Sequence, residues 1–543
     1  MALPPAEQIW WGPGLESVID FDYPVALDAP RTWRRPAPGS EQVRTPAGVI
    51  SSWTTGYDYF LAGRARWFDR SRWGGGVGLQ AFLDWAGQGN PFRFVPDKTV
   101  PDFYVDNCFL DAPFDEIDPQ IEEADGSQSI DLVIRNQTKD FGEALRGIMF
   151  EYAPGMSLTD PVAATFTRAT AATRRGLPGT LVSPVGASDA SGVLRDRHYE
   201  GTLRTTLLEA QRIQLVPDPE NFGAWTAVNV TLLSGQADPF GGTAAYKLTA
   251  TAGADNRIQQ VIAFTGDATK ALLGFARADT ATESHLKLQG AAIRHQIKLT
   301  WTAGVPTLST DTGSGTLFSV VPWGGGWYAI MFSADGVVAG DSNILSIYPA
   351  AASGTGSSYW FGANAWNAPF PSSYQGPALT TRNADSPLSW AHAYRPQSFF
   401  ALLDFIERGR ETTSGLIGVG PTNVSPNWNI DKQSATNYRI AHNNVSGSNV
   451  AVTPSVGDRI QLLGLLYPNG DTRLNYSKNL AAEVVSSLTP TAAIASAWSV
   501  LTLALQGWSG GLVNGSQAIA RVKVGPLTFG GVTVDSIAKA LAR

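Results

Sequence analysis

Short apolar runs, mostly about four to eight residues long and broken by Gly, Pro, Asn and Asp, recur from one end of this chain to the other. Such runs are strand-length. They predict strands at Val18–Phe21, Val49–Trp53, Tyr57–Phe68, Phe92–Val95, Tyr104–Leu110 and Ile130–Arg135. One segment breaks the rule. In Leu79–Ala86 the apolar residues Leu79, Phe82, Leu83 and Ala86 fall at i, i+3, i+4 and i+7, the spacing of one helix face, with Gly87 and Gly89 as stops. From 156 to 220 prolines and glycines interrupt every pattern, so only short strands fit, at Ala164–Arg168 and Leu207–Leu215. From 221 to 378 about eight β-prone runs follow at the spacing of a sandwich: Ala227–Leu233, Ala245–Ala250, Ile258–Phe264, Ala271–Ala276, Ile293–Trp301, Leu317–Val321, Trp327–Ser333 and Ile344–Tyr348. The last part continues with Phe399–Phe405, Leu416–Val419, Tyr438–His442, Asp458–Tyr467, Arg473–Tyr476 and Ala518–Val524. The expected fold class is mainly β. A β-rich α+β domain with one clear helix (1–155) leads through an ordered connector (156–220) to two β-sandwich, jelly-roll-like domains (221–378 and 379–543).

Composition agrees with several small cores rather than one. The chain has 543 residues, Gly 56 and Pro 34, with 43% hydrophobic and 16% charged residues. That is too long for a single core and too apolar for disorder. A net charge of -7 with no basic stripe argues against a nucleic-acid partner. A single cysteine, Cys108, cannot form an internal disulfide, and no Cys/His set has zinc spacing, so the expectation is assembly in a reducing cytoplasm. Neither a signal-peptide pattern nor an apolar run near the ~20 residues of a membrane span is evident, so no membrane insertion is expected.

Several stretches resemble known families. Ala164-Thr165-Phe166-Thr167-Arg168-Ala169-Thr170-Ala171-Ala172-Thr173 resembles the "SFTRASTATY" signature of phage tail and other minor virion proteins. Leu207–Leu215 and Asn221-Phe222-Gly223-Ala224-Trp225 stand where that family has "GLLIEEARTNLLLNSEDF…W", with Gln211 and Gln214 in place of Arg and Asn. Gly325-Gly326-Trp327-Tyr328, Trp360–Asn364, Phe370–Tyr374 and Thr381–Asp385 are similar to segments of its carbohydrate-binding-module-like jelly roll. The pattern of 1–155, a helix followed by an FRF strand and a final LVIR strand, is similar to distal tail and baseplate proteins. The end of the chain, with Tyr467–Asp471 and Val522–Leu541, resembles concanavalin-like and laminin-G-like sandwiches. There the last strand leads to a short "T-x-E-E-I" helix, and Asp535-Ser536 stand here in place of the glutamates.

These resemblances imply a virion structural protein of a phage tail tip or baseplate, made in the host cytoplasm. Its N-terminal domain would join a ring-forming homo-oligomer with other tail tube or hub proteins, and its sandwiches would adhere to host-surface polysaccharide. The concanavalin-like family often binds calcium. Structural calcium is therefore possible, but no ligand set can be placed, and no other cofactor is expected. Two alternatives stay open: a tailspike-type polysaccharide-degrading enzyme with accessory sandwiches, and architectural decoration that binds no sugar.

Sugar recognition uses aromatic faces, with amides and carboxylates fixing the hydroxyls. The candidate stacking residues are Trp323, Trp366, Trp428 and Trp508, while Trp327 and Trp360 read as core. No catalytic residue is assigned. Gly507-Trp508-Ser509-Gly510-Gly511 has nucleophile-elbow spacing, but a turn follows it and no histidine lies after His442. Asp115–Asp118 and Glu122–Asp125 lack calcium-loop spacing. His198 reads as a surface residue, and His285 and His295 read as solvent-facing.

Overall fold

The computed structural model describes residues 8–15, 17–20, 39–44, 50–55, 59–67, 79–95, 98, 104–110, 121–122, 128–136, 150–153, 164–165, 198–200, 203–208 and 212–542. Within the last span, 252–253, 319, 352–353, 378–380, 383–387, 395–397, 411–413, 421–427, 435, 443–444, 492–497, 504–514 and 530–531 are excepted. The chain is mainly β, folded into antiparallel sheets.

The first sheet runs in the order Ser17–Asp20, Gln8–Trp11, Phe92–Val95, Val105–Leu110, Gln128–Asn136, Tyr59–Trp67, with Ile121–Glu122 beside Gln128–Asn136. The helix Leu79–Gly87 forms where its periodicity places it. Phe82, Leu83 and Ala86 are buried, and the Phe82 ring meets Phe92 edge-on at 5.0 Å and Trp11 at 6.2 Å. Gly89, at φ 79°, donates its N–H to the Ala86 carbonyl and ends the helix in a conformation that glycine adopts without strain. The acidic loop at 115–118 lies outside the described residues.

The C-terminal sandwich holds more of the chain than 379–543. One sheet runs His198–Glu200, Leu203–Leu208, Gly515–Pro526, Phe399–Arg410, Arg459–Leu466, Thr472–Lys478, Val484–Val485. Phe150–Tyr152 also pairs with Gly515–Pro526, at Val522–Val524, in line with Leu203–Leu208, whose Thr206–Leu208 pair with Gln517–Ile519. A 2.5 Å hydrogen bond between the Tyr152 hydroxyl and Thr206 Oγ1 ties the two pieces together. The facing sheet begins with Ala164–Thr165 paired to Leu388–Tyr394. The connector thus supplies strands to the last domain. Long strands such as Gly515–Pro526 leave a row of backbone donors and acceptors that must be paired, and short segments between prolines suffice to pair them.

The jelly roll is therefore an insertion. The chain leaves the C-terminal sandwich through Arg212–Ile213 and returns through Thr381–Arg382, and these two segments pair with each other as a two-stranded neck. One jelly-roll sheet runs Thr226–Val228, Arg257–Ile262, Asn343–Tyr348, Glu283–Gln289, Ile293–Thr302, Val305–Gly313. The other runs Val230–Gln236, Ala245–Ala250, Gly356–Trp366, Ala268–Ala278, Trp327–Val337, Val321–Gly324. Leu248, Ile258, Leu272, Leu286, Ile297, Phe332, Ile347 and Trp360 fill the space between them. Among the described residues no helix is long and apolar enough to cross a membrane.

Two histidine expectations fail here. His295 is fully buried because it shares the inward phase of Ile297, Leu299 and Trp301. Its Nδ1 lies 2.5 Å from the Ser333 carbonyl oxygen and its Nε2 3.1 Å from Thr310 Oγ1. His285 has the opposite phase to Leu286 and Leu288. It is nonetheless covered by its neighbours, with Nε2 2.6 Å from Glu283 Oε1 and the Tyr348 ring at 6.2 Å.

Candidate functional site

The outer face of the second jelly-roll sheet is read most directly from its register. Each strand sends alternate side chains to opposite faces. Lys247 sits opposite Tyr359, Tyr359 opposite Arg277, Arg277 opposite Trp327, and Trp327 opposite Gly324. One row of side chains thus crosses four strands and ends at Gly324 on the fifth. The next row on the same face pairs Phe361 with Phe275, Phe275 with Ala329, and Ala329 with Val321.

A bulge makes this face continuous. Phe275 pairs with Phe361 but Gly274 pairs with Ala363, so Gly362 is the extra residue. Its φ of 55° suits glycine. The bulge resets the alternation. Phe361 and Trp366 both join the outer cluster, while Trp360, Ala363 and Ala365 face the core.

The apolar half of the face is roofed. Phe240 stacks on Tyr374 at 5.3 Å and meets Phe275 edge-on at 5.4 Å. The loop bearing Phe240 is fastened by Asp238, whose carboxylate accepts the N–H groups of Phe240 (2.8 Å), Gly242 (3.0 Å) and Ala244 (3.1 Å). Val456 of the C-terminal sandwich packs on the same cluster, and Phe370 lies against Gly409. The Tyr374 hydroxyl donates to Glu220 Oε1 at 2.7 Å. Burial raises the Glu220 pKa, the Tyr374 hydrogen bond opposes this, and Asp238 adds to the rise.

A carboxyl whose pKa is raised on folding stabilises the fold below its unfolded value and loses that contribution as pH climbs through the folded value. Thermal stability is therefore expected to decline as pH rises above 4.5 through the Glu220 titration. Glu220→Gln, which keeps an acceptor for Tyr374, should melt higher than the parent at pH 7 and show a flatter profile. A melting series from pH 4 to 8 on both proteins checks this.

The row Lys247–Tyr359–Arg277 lies at the other, half-exposed end. The Arg277 guanidinium carbon lies 4.1 Å from the Tyr359 ring centroid and 5.1 Å from that of Trp327. Lys247 Nζ is 2.7 Å from Asp279 Oδ2, and Ser357 Oγ also donates to that oxygen. Burial acts against the Asp279 carboxylate, but Lys247, Ser357 and the charge of Arg277 together hold its pKa below the usual value. The Arg277 guanidinium and the Tyr359 hydroxyl have no hydrogen-bond partner among the described residues. The arrangement offers oriented donors, one carboxylate and an aromatic support, a set suited to a polyhydroxylated ligand.

The expected stacking residues fare differently. Trp366 is fully buried under the 366–377 loop, its Nε1 donating to Gln375 Oε1 at 2.6 Å. Trp428 is fully buried between the C-terminal sheets, edge-on to Phe399 at 4.7 Å. Neither offers a ring face to a ligand, and both are corrected to core. Trp323 is half-buried, set edge-on against Phe275 at 5.1 Å and Phe240 at 5.8 Å, so it forms a wall of the roofed half. Trp508 and the Gly507–Gly511 motif lie outside the described residues. Trp327 and Trp360 are core, as expected. Arg277, Tyr359, Lys247 and Asp279 were not singled out from the sequence, because cross-strand register brings together residues far apart in the chain. Among the described residues, no group of three or more His, Cys, Asp or Glu side chains is placed to hold a metal ion.

No family model matches the chain, and no curated protein does. Among solved structures, domains LG4-5 of the mouse laminin alpha1 chain share 9% identity, covering 47% of this chain and 80% of that one, with a TM-score of 0.18. A mutant of the GH43 protein BlXynB from Bacillus licheniformis shares 9% identity over 55% of this chain and 75% of that one, with a TM-score of 0.19. A botulinum neurotoxin type C structure shares 8% over 58% and 93%, with a TM-score of 0.13. Similarity this distant carries no argument about site or activity. What stands is the fold class: a mainly β chain of antiparallel sheets consistent with sandwiches.

Proposed function

We propose that this chain is a non-enzymatic adhesion protein whose inserted jelly roll presents the Lys247–Tyr359–Arg277–Asp279 face to a cell-surface glycan. One observation carries the reading. An arginine supported by two aromatic rings, and a tyrosine hydroxyl beside it, have no hydrogen-bond partner among the described residues and stand next to a Lys–Asp pair at the half-exposed end of an otherwise roofed face. Donors fixed in this way lose little entropy on meeting sugar hydroxyls. We place the protein in a phage tail tip or baseplate, with 1–155 as the ring-forming anchor. The support for that placement is the sequence resemblance at Ala164–Thr173 and its neighbours. The neck at Arg212–Ile213 and Thr381–Arg382 makes the jelly roll a discrete inserted module.

The test is a glycan array probed with the full chain, repeated with Tyr359→Ala. This variant removes one support of Arg277 and one hydroxyl, and roughly tenfold weaker binding is expected with an unchanged melting curve. Binding that ignores Tyr359→Ala would move the site elsewhere. New reducing ends released from a bound glycan would replace adhesion by degradation. Light scattering of the full chain tests the anchor, for which a ring-sized mass is the expected result.

A further inference from the structure

The charges on the candidate face do not balance. Lys247 is committed to Asp279 at 2.7 Å, and Asp279 also accepts from Ser357. The carboxylate thus has its own cation, and Arg277 is left over as a second one. Its guanidinium meets Tyr359 and Trp327 through their rings rather than through N–H bonds, and no described residue accepts from it. The backbone holds it as well. Arg277 sits in the middle of the row with a register partner on either side, and the Cβ-free Gly326 lies against its aliphatic stem, where an added Cβ would be 3.4 Å from Cδ. Packing thus restrains the side chain while none of its five N–H groups bonds to a described residue. A planar fork of this kind matches two oxygens of one oxyanion. A neutral sugar would use single donors and would not need the second positive charge.

Resting on the adhesion reading above, we propose that the glycan is acidic and that Arg277 takes an oxyanion on its sugar ring, a carboxylate or a sulfate. Lys247, Tyr359 and Asp279 contact neighbouring hydroxyls. Asp279 lies on the same face and would repel the anion. Its pairing with Lys247 and Ser357 limits that repulsion and leaves two cations to one carboxylate across the row. The screened charge of Arg277 makes affinity fall with salt.

The experiment uses the full chain with four probes: oligomers of hyaluronate, alginate and polygalacturonate, each against its carboxyl-reduced neutral form, and chondroitin sulfate against its desulfated form. Affinity is read by titration calorimetry at two salt concentrations. The expected result is at least tenfold tighter binding of one acidic form than of its carboxyl-reduced or desulfated counterpart. Arg277→Gln should abolish that preference. Arg277→Lys, which keeps the charge and loses the fork, should keep only part of it. Melting curves confirm that both variants fold, and Arg277→Lys carries the test if Arg277→Gln does not. A preference lost on carboxyl reduction assigns the carboxylate, and one lost only on desulfation assigns the sulfate. Equal binding of every probe and its modified form, or a preference that survives Arg277→Gln, overturns the acidic assignment. If Tyr359→Ala weakens both forms alike in that case, glycan adhesion itself stands. If no probe binds in either form, the acidic assignment falls, and the glycan array alone decides whether adhesion stands.

Discussion

Trp428→Ala is expected to destabilise the C-terminal sandwich by about 3–5 kcal/mol, the usual cost of emptying a fully buried indole site. The ring lies between the sheets, edge-on to Phe399 at 4.7 Å, with no exposure. Room for it comes from the opposite sheet. At Gly464 an added Cβ would lie 2.7 Å from Trp428 Cζ2 and 2.9 Å from Cη2 and from Ile430 Cδ1. Gly464→Ala alone should therefore cost about 1–3 kcal/mol through overpacking. Phenylalanine at 428 leaves space for that methyl group, so the two changes should not add. In a Trp428→Phe background, Gly464→Ala should cost at least about 1 kcal/mol less. The indole N–H has no partner among the described residues, so phenylalanine forfeits no hydrogen bond that the structure records. Urea titrations of the four proteins measure the coupling. Additive losses would show that Gly464 does not accommodate the indole. If Trp428→Ala lost sugar binding while stability held, the core assignment would be wrong.

Gly362→Ala is expected to cost the jelly roll about 2–5 kcal/mol and to disturb the candidate face with it. Two effects combine. A left-handed backbone costs a non-glycine residue about 1–2 kcal/mol, and an added Cβ would lie 2.7 Å from Tyr374 Cε2 and 2.9 Å from its Cζ and hydroxyl, adding about 1–3 kcal/mol of overpacking. Gly362 is also the bulge residue that sets the phase of the strand, so displacing it moves Phe361 and Tyr359 relative to Phe275 and Arg277. Glycan affinity should fall along with the melting temperature. By contrast Gly340→Ala, where nothing lies within 4 Å of an added Cβ, should change neither. An unaltered melting curve for Gly362→Ala would mean that the bulge relaxes at no cost.

Local pattern is enough to specify the fold class and many of the individual elements. Apolar runs between turn signals are a local property. Phe92–Val95 and Ala245–Ala250 form with the ends their residues indicate, and the helix at Leu79–Gly87 follows from its face and its stopping glycines. Phe399–Phe405 reads as an unbroken apolar run because both faces of that strand are covered. Phe399, Ala401, Leu403 and Phe405 meet the core between the sheets, while Phe400 and Leu402 lie with Ile537 and Ala540 of the short helix Ile537–Ala542. Glu483 accepts the N–H of Ile537 at 2.9 Å, so a distant loop fastens the helix that the ending of the chain suggested. Strands with weak patterns are not legible in the sequence. Glu283–Gln289 buries Ser284, His285 and Lys287, and Val305–Gly313 is largely exposed, so neither shows a clean alternation.

Which strands become neighbours is set by long-range pairing, and the organisation of the chain and its candidate site depend on that. No local signal says that Ala164–Thr165 and Leu203–Leu208 pair across the inserted jelly roll with Leu388–Tyr394 and Gly515–Pro526. Nor does one say that Arg277 stands between Tyr359 and Trp327. The tryptophans at 366 and 428 invite a reading as binding residues because an indole looks the same in sequence whether it is exposed or enclosed. Burial depends on what the opposite sheet and the returning loops place over it. For Trp366 that is the loop carrying Gln375, and for Trp428 it is the gap left by Gly464.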